Sequence, residues 1–475
     1  MRVLLTLPPG VHDLEIYKIM GMKAPPLGLA YLASVLERDG HKVRIIDSPT
    51  LELDIEGWLK EVKSWSPDVL GFSVLTPLAP KTYEAISRIR EVVPNIPIVL
   101  GGPHPTFMYK EALENGADIV VLGEGEESFR DLVNTLERYG IDPSKLSGVR
   151  GLAYRHDGKV KFTGFRDPIG DLDKIPWPAR HLLPMDRYTL FGKPIRVAHI
   201  MASRGCPFGC IYCSTSYFWG RRVRFRTPVD VADEIEYVAD KYRVKYIVFT
   251  DDELLINKRF VRELLGELKS RGLDLPFACG ARVDHLSRSI MRLLFENNCA
   301  TIYVGVESAS QETLNRIGKR ITLEQARRVF EWKREIGGYM VASFILGFPW
   351  ETIRDMENTI KLAIELDPDY AQFTVLTPYP GTPLFEYAKR HNLIEDWNWE
   401  HYTTIRPVMR GFKFTRSQLG WMLSRAYRKF YLRFSFIARE LGKGRFLDIL
   451  RVLGREVSRY VVDAVTHPIR WRVEG

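Results

Sequence analysis

Three cysteines within eight residues constrain this chain more than any other feature. The segment Arg204-Gly205-Cys206-Pro207-Phe208-Gly209-Cys210-Ile211-Tyr212-Cys213 spaces its thiols as C-x3-C-x2-C, directly after an apolar run, Ala198–Ser203, that reads as a strand. Three thiolates on one tight loop can hold three irons of a cubane 4Fe–4S cluster and leave the fourth iron open. Gly205, Pro207 and Gly209 let such a loop wrap closely. Zinc is the alternative, because C-x2-C pairs commonly bind it. Zinc would want a fourth ligand close by, and no Cys or His follows Cys213 within thirty residues. The chain holds five cysteines in all. That odd count fits a metal site in a reducing compartment better than a disulfide framework. The other two, Cys279 and Cys299, read as buried core thiols.

The pattern on either side of the loop is α/β. Over residues 1–139, apolar runs at Val3–Leu7, Lys42–Ile46, Val69–Val74, Ile96–Leu100 and Ile119–Leu122 alternate with amphipathic stretches. This predicts a doubly wound, five-stranded parallel sheet, with ligands bound outside the carboxyl ends of its strands. Those ends carry Pro8-Pro9-Gly10, Ser73 to Thr76, Gly101-Gly102-Pro103-His104 and Gly123-Glu124-Gly125. Residues 140–195 read as a linker, with a hairpin signal at Asp157-Gly158 and a proline-rich connector at Ile175 to Pro178. Residues 196–400 offer six further strands with intervening helices, predicting a full or partial α/β barrel whose active site lies at the strand C-terminal face. Residues 401–475 read as a mainly helical, basic region.

Charge narrows the class of partner. Residues 411–475 carry 14 Lys/Arg against five Asp/Glu, which accounts for the whole net charge of +9. The remainder is close to neutral, which argues against nucleic acid and for a local cationic surface. No apolar run reaches the ~18–20 residues of a spanning helix. The N-terminus reads as a strand rather than a signal peptide, so a cytoplasmic location is expected.

The C-x3-C-x-aromatic-C pattern at the end of a first barrel strand resembles the signature of the radical S-adenosylmethionine (SAM) superfamily. The resemblance implies that SAM chelates the open iron and that one electron splits it to a 5′-deoxyadenosyl radical, which abstracts hydrogen. It places Tyr212 near the adenine. Asp252, in Thr250-Asp251-Asp252-Glu253, stands where many members receive the SAM ammonium with Gly-Gly-Glu; the Gly-Gly is missing here, and a helix cap is the other reading. Glu307 and Ser308 resemble the family's ribose- and SAM-contacting segment. Gly347 and Glu351 resemble its adenine-side segment, although Glu351 also suits a helix cap. Arg282 is a candidate for the SAM carboxylate, with a structural salt bridge as the alternative.

A doubly wound domain ahead of such a barrel resembles the cobalamin-binding subclass, which includes anaerobic magnesium-protoporphyrin ester cyclase, hopanoid methylase and archaeal lipid-modifying enzymes. The resemblance extends over Pro25 to Ala33, Gly101 to Thr106 and Gly123 to Glu126. It makes Ser73, Thr76, Gly101, Gly102, His104, Gly123, Glu124 and Gly125 the candidate cobalamin contacts. Glycines suit that role because a flat corrin sits on strand ends only where no Cβ intrudes. The subclass often supplies a lower His ligand through Asp-x-His-x-x-Gly after the first strand. Pro8-Pro9-Gly10-Val11-His12-Asp13 does not match it, so cobalamin is expected without that ligand.

The resemblance implies an enzyme that methylates or cyclises an unactivated carbon of a hydrophobic lipid, isoprenoid or tetrapyrrole, with a ferredoxin- or flavodoxin-type electron donor. Between Leu419 and Leu441, and again from Phe446 to Val462, aromatic and aliphatic residues recur at helical spacing among Arg and Lys. Such helices either lie on an anionic membrane or pack their apolar face on the barrel. Two other enzyme readings stand beside this one. An RNA methylthiotransferase would carry further cluster cysteines ahead of Cys206, and none occurs there. A cobalamin-free radical SAM enzyme would use the N-terminal domain as scaffold alone. A non-catalytic corrinoid module would leave the barrel motifs without a purpose.

Overall fold

The computed structural model describes residues 1–13, 23–189 and 196–442. The N-terminal sheet is built from β1 (Arg2–Thr6), β2 (Lys42–Ile46), β3 (Val69–Ser73), β4 (Ile98–Gly101) and β5 (Ile119–Val121), all parallel. The inner strands β1, β3, β4 and β5 are short β-branched or leucine-rich runs buried on both faces, the pattern that places helices on both sides. Those helices include α1 (Leu27–Arg38), α2 (Ile55–Trp65), α3 (Ala79–Val92) and α4 (Gly125–Tyr139). The strand order reverses at β1, with β2 on one side and β3 on the other. The crevice at that reversal is where such sheets bind ligands.

The hairpin expected at Asp157-Gly158 forms from β6 (Leu152–His156) and β7 (Lys159–Phe162). It is not a free linker. β6 pairs antiparallel with β5, so the hairpin extends the sheet to seven strands. Leu152, Ala153 and Tyr154 are buried there, and their burial accounts for the docking.

The second sheet has six parallel strands: β8 (Val197–Ile200), β11 (Tyr246–Phe249), β12 (Phe277–Arg282), β13 (Cys299–Glu307), β14 (Met340–Leu346) and β15 (Tyr370–Val375), in that order. Between β8 and β11 lies a two-residue antiparallel ladder of β9 (Ser203–Arg204) and β10 (Arg224–Phe225). Helices α5 (Pro228–Tyr242), α6 (Lys258–Ser270), α7 (Arg288–Glu296), α8 (Leu323–Ile336) and α9 (Ile353–Leu366) follow the strands in turn. Most begin with a side-chain cap, such as Thr227 on α5 and Thr322 on α8. The sheet is an open, partial barrel with β8 and β15 at its edges.

Helix α10 (Arg416–Tyr431) covers the β15 edge, and α11 (Phe434–Gly442) follows it. An edge strand exposes unpaired backbone groups, and two tyrosines of α10 satisfy them here. Tyr431 donates to the Ala371 carbonyl at 2.8 Å and accepts from its N–H at 3.2 Å; Tyr427 donates to the Phe373 carbonyl at 2.9 Å. Four basic residues of this stretch are engaged within the fold. Arg425 and Lys429 both hold Glu357 of α9, and Arg433 and Arg439 hold Asp367. Over residues 416–442 packing on the barrel therefore accounts for the amphipathic pattern. The stretch from Phe446 to Val462 lies outside the described residues. No helix among the described residues is long and apolar enough to cross a membrane.

The two sheets meet along a buried polar seam. Arg180 is 1% exposed and pairs with fully buried Glu234 of α5, which also receives Arg226. Tyr188 donates to Asp47 at 2.9 Å. Trp399 Nε1 donates to Glu111 at 3.0 Å.

Candidate functional site

The cysteine loop runs from β9 to a short helical turn at Thr215–Phe218. Gly205 (φ +96°) and Gly209 (φ +64°) sit in the left-handed region. A Cβ on Gly205 would meet the Arg222 carbonyl oxygen at 2.6 Å, so backbone packing alone demands glycine there. The Cys213 N–H donates to the Cys210 carbonyl at 3.1 Å, and Ser216 Oγ donates to the Cys206 carbonyl at 2.8 Å.

Cys210 is buried and Cys206 and Cys213 are half-buried. Burial pushes the Cys206 thiol up to about 11, with Cys213, Asp252 and Cys210 adding to the shift. Burial also raises Cys210, which Lys319 and Arg282 partly counter. Such an environment disfavours free thiolates and suits sulfurs whose charge a metal neutralises. No group of three or more His, Cys, Asp or Glu side chains among the described residues converges as a site for one ion. A cubane places a separate iron at each of three sulfurs on one loop, which the C-x3-C-x2-C spacing suits.

The ends of the neighbouring strands bring acids to the same face. Asp251, after β11, is buried against Ser203 Oγ and the Ala202 N–H, and burial lifts it to about 7. Asp252 is exposed to solvent yet ringed by protein, which lifts it to about 6; it accepts from Thr215 Oγ1 at 3.1 Å. Asp252 is thus beside the cysteine loop and does not cap a helix. Glu253 is buried and bonded to His285 Nδ1 at 2.8 Å, and His285 lies against Phe208 of the loop.

Glu307 closes β13 with φ +71°, after a register shift against β14. It is buried and receives Lys319 Nζ at 2.6 Å. Tyr212 lies beside Glu307, and burial and that carboxylate hold its hydroxyl well above the ordinary value. Its ring meets Phe348 edge-on at 6.2 Å. Ser308 Oγ donates to Glu351 Oε1 at 2.8 Å. Gly347 (φ +94°) faces α10, where a Cβ would come within 2.7 Å of Leu419. Arg282 is occupied: it forms two 3.0 Å bonds to Asp284, donates to the Lys319 carbonyl and stacks on Phe208 at 3.5 Å. Arg282 thus makes a salt bridge, and it stays a candidate for the SAM carboxylate. Lys319, a buried cation beside Cys210, escaped the sequence reading because a lone Lys in a loop carries no periodic signal.

Glu351 is 2% exposed, and its Oε2 has no hydrogen-bond partner. Burial lifts it from 4.5 to about 7. The folded state therefore holds the proton more tightly than the unfolded one. The resulting stability is present below pH 4.5 and is lost as pH rises towards 7. Glu351→Gln keeps the acceptor for Ser308 and removes the titration. Its stability advantage over the parent should widen between about pH 5 and about pH 8, to roughly 3 kcal/mol in denaturant unfolding. A variant weaker than the parent at the higher pH would mean that Glu351 is ionised and paired.

At the N-terminal sheet, Gly101 and Gly102 end β4. Gly102 has φ +95°, and a Cβ there would press within 3.0 Å of the Val74 backbone. Gly123 (φ +72°) has open space in front of it and donates its N–H to Thr106 Oγ1. Gly125 packs against Leu32. Ser73 is half-buried, Thr76 is buried, and Leu75 between them is 50% exposed, an apolar side chain on the ligand face that the sequence reading passed over. Among the glycines, Gly123 leaves open backbone surface that suits a large flat ligand, while Gly102 and Gly125 answer packing within the chain. Two of the expected contacts are engaged elsewhere. His104 is fully enclosed, with Nδ1 at 3.4 Å from Thr76 and Nε2 at 3.4 Å from Glu111, and its ring against Trp399. Glu124 is buried in ion pairs with Arg204 and Arg224.

Comparison with known proteins matches this arrangement. The B12 binding domain family matches residues 20–133, and the radical SAM superfamily matches residues 200–363. The chain is 40% identical over 435 residues to an uncharacterised methyltransferase of Pyrococcus horikoshii, covering 91% of this chain and 93% of that protein. It is 32% identical over 419 residues to the anaerobic magnesium-protoporphyrin IX monomethyl ester cyclase of Rubrivivax gelatinosus, covering 87% and 75%. Its fold is similar to that of the radical SAM methyltransferase TsrM of Kitasatospora setae, solved with cobalamin and a 4Fe–4S cluster bound. That match has a TM-score of 0.68 at 22% identity and covers 82% of this chain and 78% of the other.

Proposed function

The chain belongs to the cobalamin-dependent radical SAM family of methyltransferases and cyclases, and from that premise we propose that it methylates or cyclises an unactivated carbon of a hydrophobic tetrapyrrole, isoprenoid or lipid. One observation supports the reading above the others: a three-cysteine loop and a glycine-lined strand-end surface occur in one chain, on two sheets joined through a buried seam. The relation to a tetrapyrrole cyclase supports the substrate class.

When bound, the cluster supplies one electron to SAM, SAM supplies the hydrogen-abstracting group, and cobalamin supplies a methyl group where methylation is the outcome. The chain's own residues bind, orient and exclude water. Cys206, Cys210 and Cys213 are assigned to the irons. Asp252 is assigned to the SAM ammonium, and its pKa of about 6 leaves it charged at neutral pH. Arg282 and Lys319, each held in an ion pair and each easing the charge on Cys210, are the candidates for the SAM carboxylate. Tyr212, Ser308 and the Gly347–Glu351 segment line the adenine side. Ser73, Leu75, Thr76, Gly101, Gly102, Gly123 and Gly125 form the corrin surface, with His104 behind it as a support. α10 covers the open barrel edge and keeps water out.

Enzymes of this kind need a reductant and a substrate; a ferredoxin- or flavodoxin-type donor and a cytoplasmic site fit the chain. Peripheral membrane contact then falls to the basic residues after 442, since those of α10 and α11 named above are paired within the fold. Removing residues 443–475 should reduce flotation with anionic vesicles by roughly tenfold or more; unchanged flotation would remove the membrane contact from this reading.

The function is tested by anaerobic reconstitution with iron, sulfide and cobalamin, followed by incubation with SAM, reductant and porphyrin or isoprenoid candidates. Release of 5′-deoxyadenosine together with a methylated or ring-closed product supports the proposal. Release of 5′-deoxyadenosine from a chain that retains no corrin would leave SAM cleavage and overturn methyl transfer.

A further inference from the structure

Glu124 is the N-cap of α4, where the chain arrives from β5, and Glu126 lies in the first turn of that helix. Their carboxylates point into the seam between the sheets. Glu124 accepts from Arg224, from Arg204 Nη1 at 3.4 Å and from the Ile169 N–H at 3.2 Å. Glu126 accepts from Arg204 Nη2 at 2.6 Å. All four side chains are at most 8% exposed.

The two arginines bracket the cysteine loop. Arg204 immediately precedes Gly205-Cys206, and it pairs with Arg224 in the β9–β10 ladder. The Arg204 guanidinium lies 5.3 Å from the Tyr31 ring of α1 and 5.0 Å from the Trp219 ring. Arg224 also donates to the Trp219 carbonyl at 3.2 Å and the Ile169 carbonyl at 2.7 Å. Both ends of the segment that holds all three cysteines are therefore tied to one turn of the N-terminal sheet. That turn also presents Gly123 to the ligand face.

We propose that Glu124 and Glu126, with Arg204 and Arg224, form a strut that fixes the cysteine loop at a set distance from the ligand face of the N-terminal sheet. They act as positioning residues for two cofactors. Relative motion is the default between units joined by a modest interface. Chemistry shared between two cofactors and one substrate tolerates little of it, because small misplacements cost large factors in rate. Buried, multiply bonded ion pairs suit such a positioning role, since in some proteins they contribute more to a unique arrangement than to net stability. The identity of the two cofactors rests on the family reading; the strut itself rests on the ion pairs alone.

The test is the double substitution Glu124→Gln and Glu126→Gln in the full chain. Amide hydrogen exchange across residues 205–222 is expected to quicken roughly a hundredfold, while exchange in β1 to β5 stays as in the parent. In the reconstituted protein, magnetic dipolar coupling between the reduced cluster and a cobalt(II) corrin reads the distance between them. A narrow distribution in the parent should broaden in the variant at unchanged iron and corrin content. A role in stability alone would instead lower the unfolding midpoint and leave the distance distribution narrow. Unchanged exchange and an unchanged distribution overturn the strut. If the double variant does not fold, Arg224→Lys is read the same way, since an ammonium cannot serve Glu124 and both carbonyls in the geometry of a planar fork. A parent that retains no corrin defeats the cobalamin reading, and the exchange measurement still decides the strut.

Discussion

Replacing any one of Cys206, Cys210 and Cys213 with alanine is expected to abolish the visible absorbance of the reconstituted cluster and to lower SAM cleavage by at least about a hundredfold. In the proposed assignment each thiolate would hold a separate iron, so two sulfurs on a half-buried loop would leave a second iron open to solvent and oxygen. Lys319 and Arg282 counter the burial of Cys210, but they offer no ligand to replace it. The fold should survive, because the loop is held by backbone: the Gly205 packing against Arg222, the Ser216 bond to the Cys206 carbonyl, and the Ile211 N–H donated to the Ile317 carbonyl at 3.0 Å. Cys279→Ala and Cys299→Ala serve as controls. Both sit in the hydrophobic core on neighbouring strands. Cys279 is a free thiol, and a hydrogen bond with the Cys299 thiol together with burial holds it well above the ordinary value, so it stays a protonated, unreactive sulfur. These controls should lose some stability to the cavity and keep the cluster. Iron and sulfide content, absorbance and 5′-deoxyadenosine release measure all five variants. Cleavage at the parent rate in the three loop variants would remove the cluster from this loop.

The strands and the cysteine loop were legible because they are local. A buried parallel strand is a short apolar run between turns, and all eleven expected runs became strands, from Arg2–Thr6 to Tyr370–Val375. The glycines were legible for a related reason: Gly102, Gly123 and Gly205 answer a backbone demand that no other residue meets without strain. Partners across the fold were not legible. Glu124 stands in the expected binding loop, and nothing in its neighbourhood announces that Arg204 and Arg224, some 80 and 100 residues later, turn it inward. His104 sits at a strand end like a ligand, yet Glu111, on the next short helix, and Trp399, from far down the chain, enclose it. The docking of the 140–195 hairpin was hidden in the same way, because its apolar residues could equally have covered a loop. The basic residues from α10 through α11 were ambiguous until Glu357 was brought opposite Arg425 and Lys429, and Asp367 opposite Arg433 and Arg439.

Lys319→Met is expected to destabilise the barrel by roughly 3–5 kcal/mol, the cost of leaving a buried charge without its partner. Glu307 is 5% exposed and Lys319 6% exposed, with 2.6 Å between them. Methionine keeps the aliphatic stem and the packing and removes the charge. The main-chain carbonyl that receives Arg282 remains in place, so the loss belongs to the ion pair. The double variant Lys319→Met with Glu307→Gln should recover much of it, which equilibrium urea unfolding and a mutant cycle measure. The pH dependence separates this pair from Glu351. Burial alone would depress Lys319, but Glu307 outweighs it and holds the ammonium above its ordinary value of 10.5. Its contribution is therefore complete below that value and fades only as pH rises through the folded pKa. The deficit of the single variant should stay constant between about pH 6 and about pH 9, where the Glu351→Gln gain is pH-dependent in its lower part. The same cation eases the ionisation of Cys210, so the single variant should also assemble its cluster more slowly at neutral pH. A single variant as stable as the parent would mean that the Tyr212 hydroxyl alone compensates Glu307. In that case Tyr212→Phe, rather than Lys319→Met, would carry the loss.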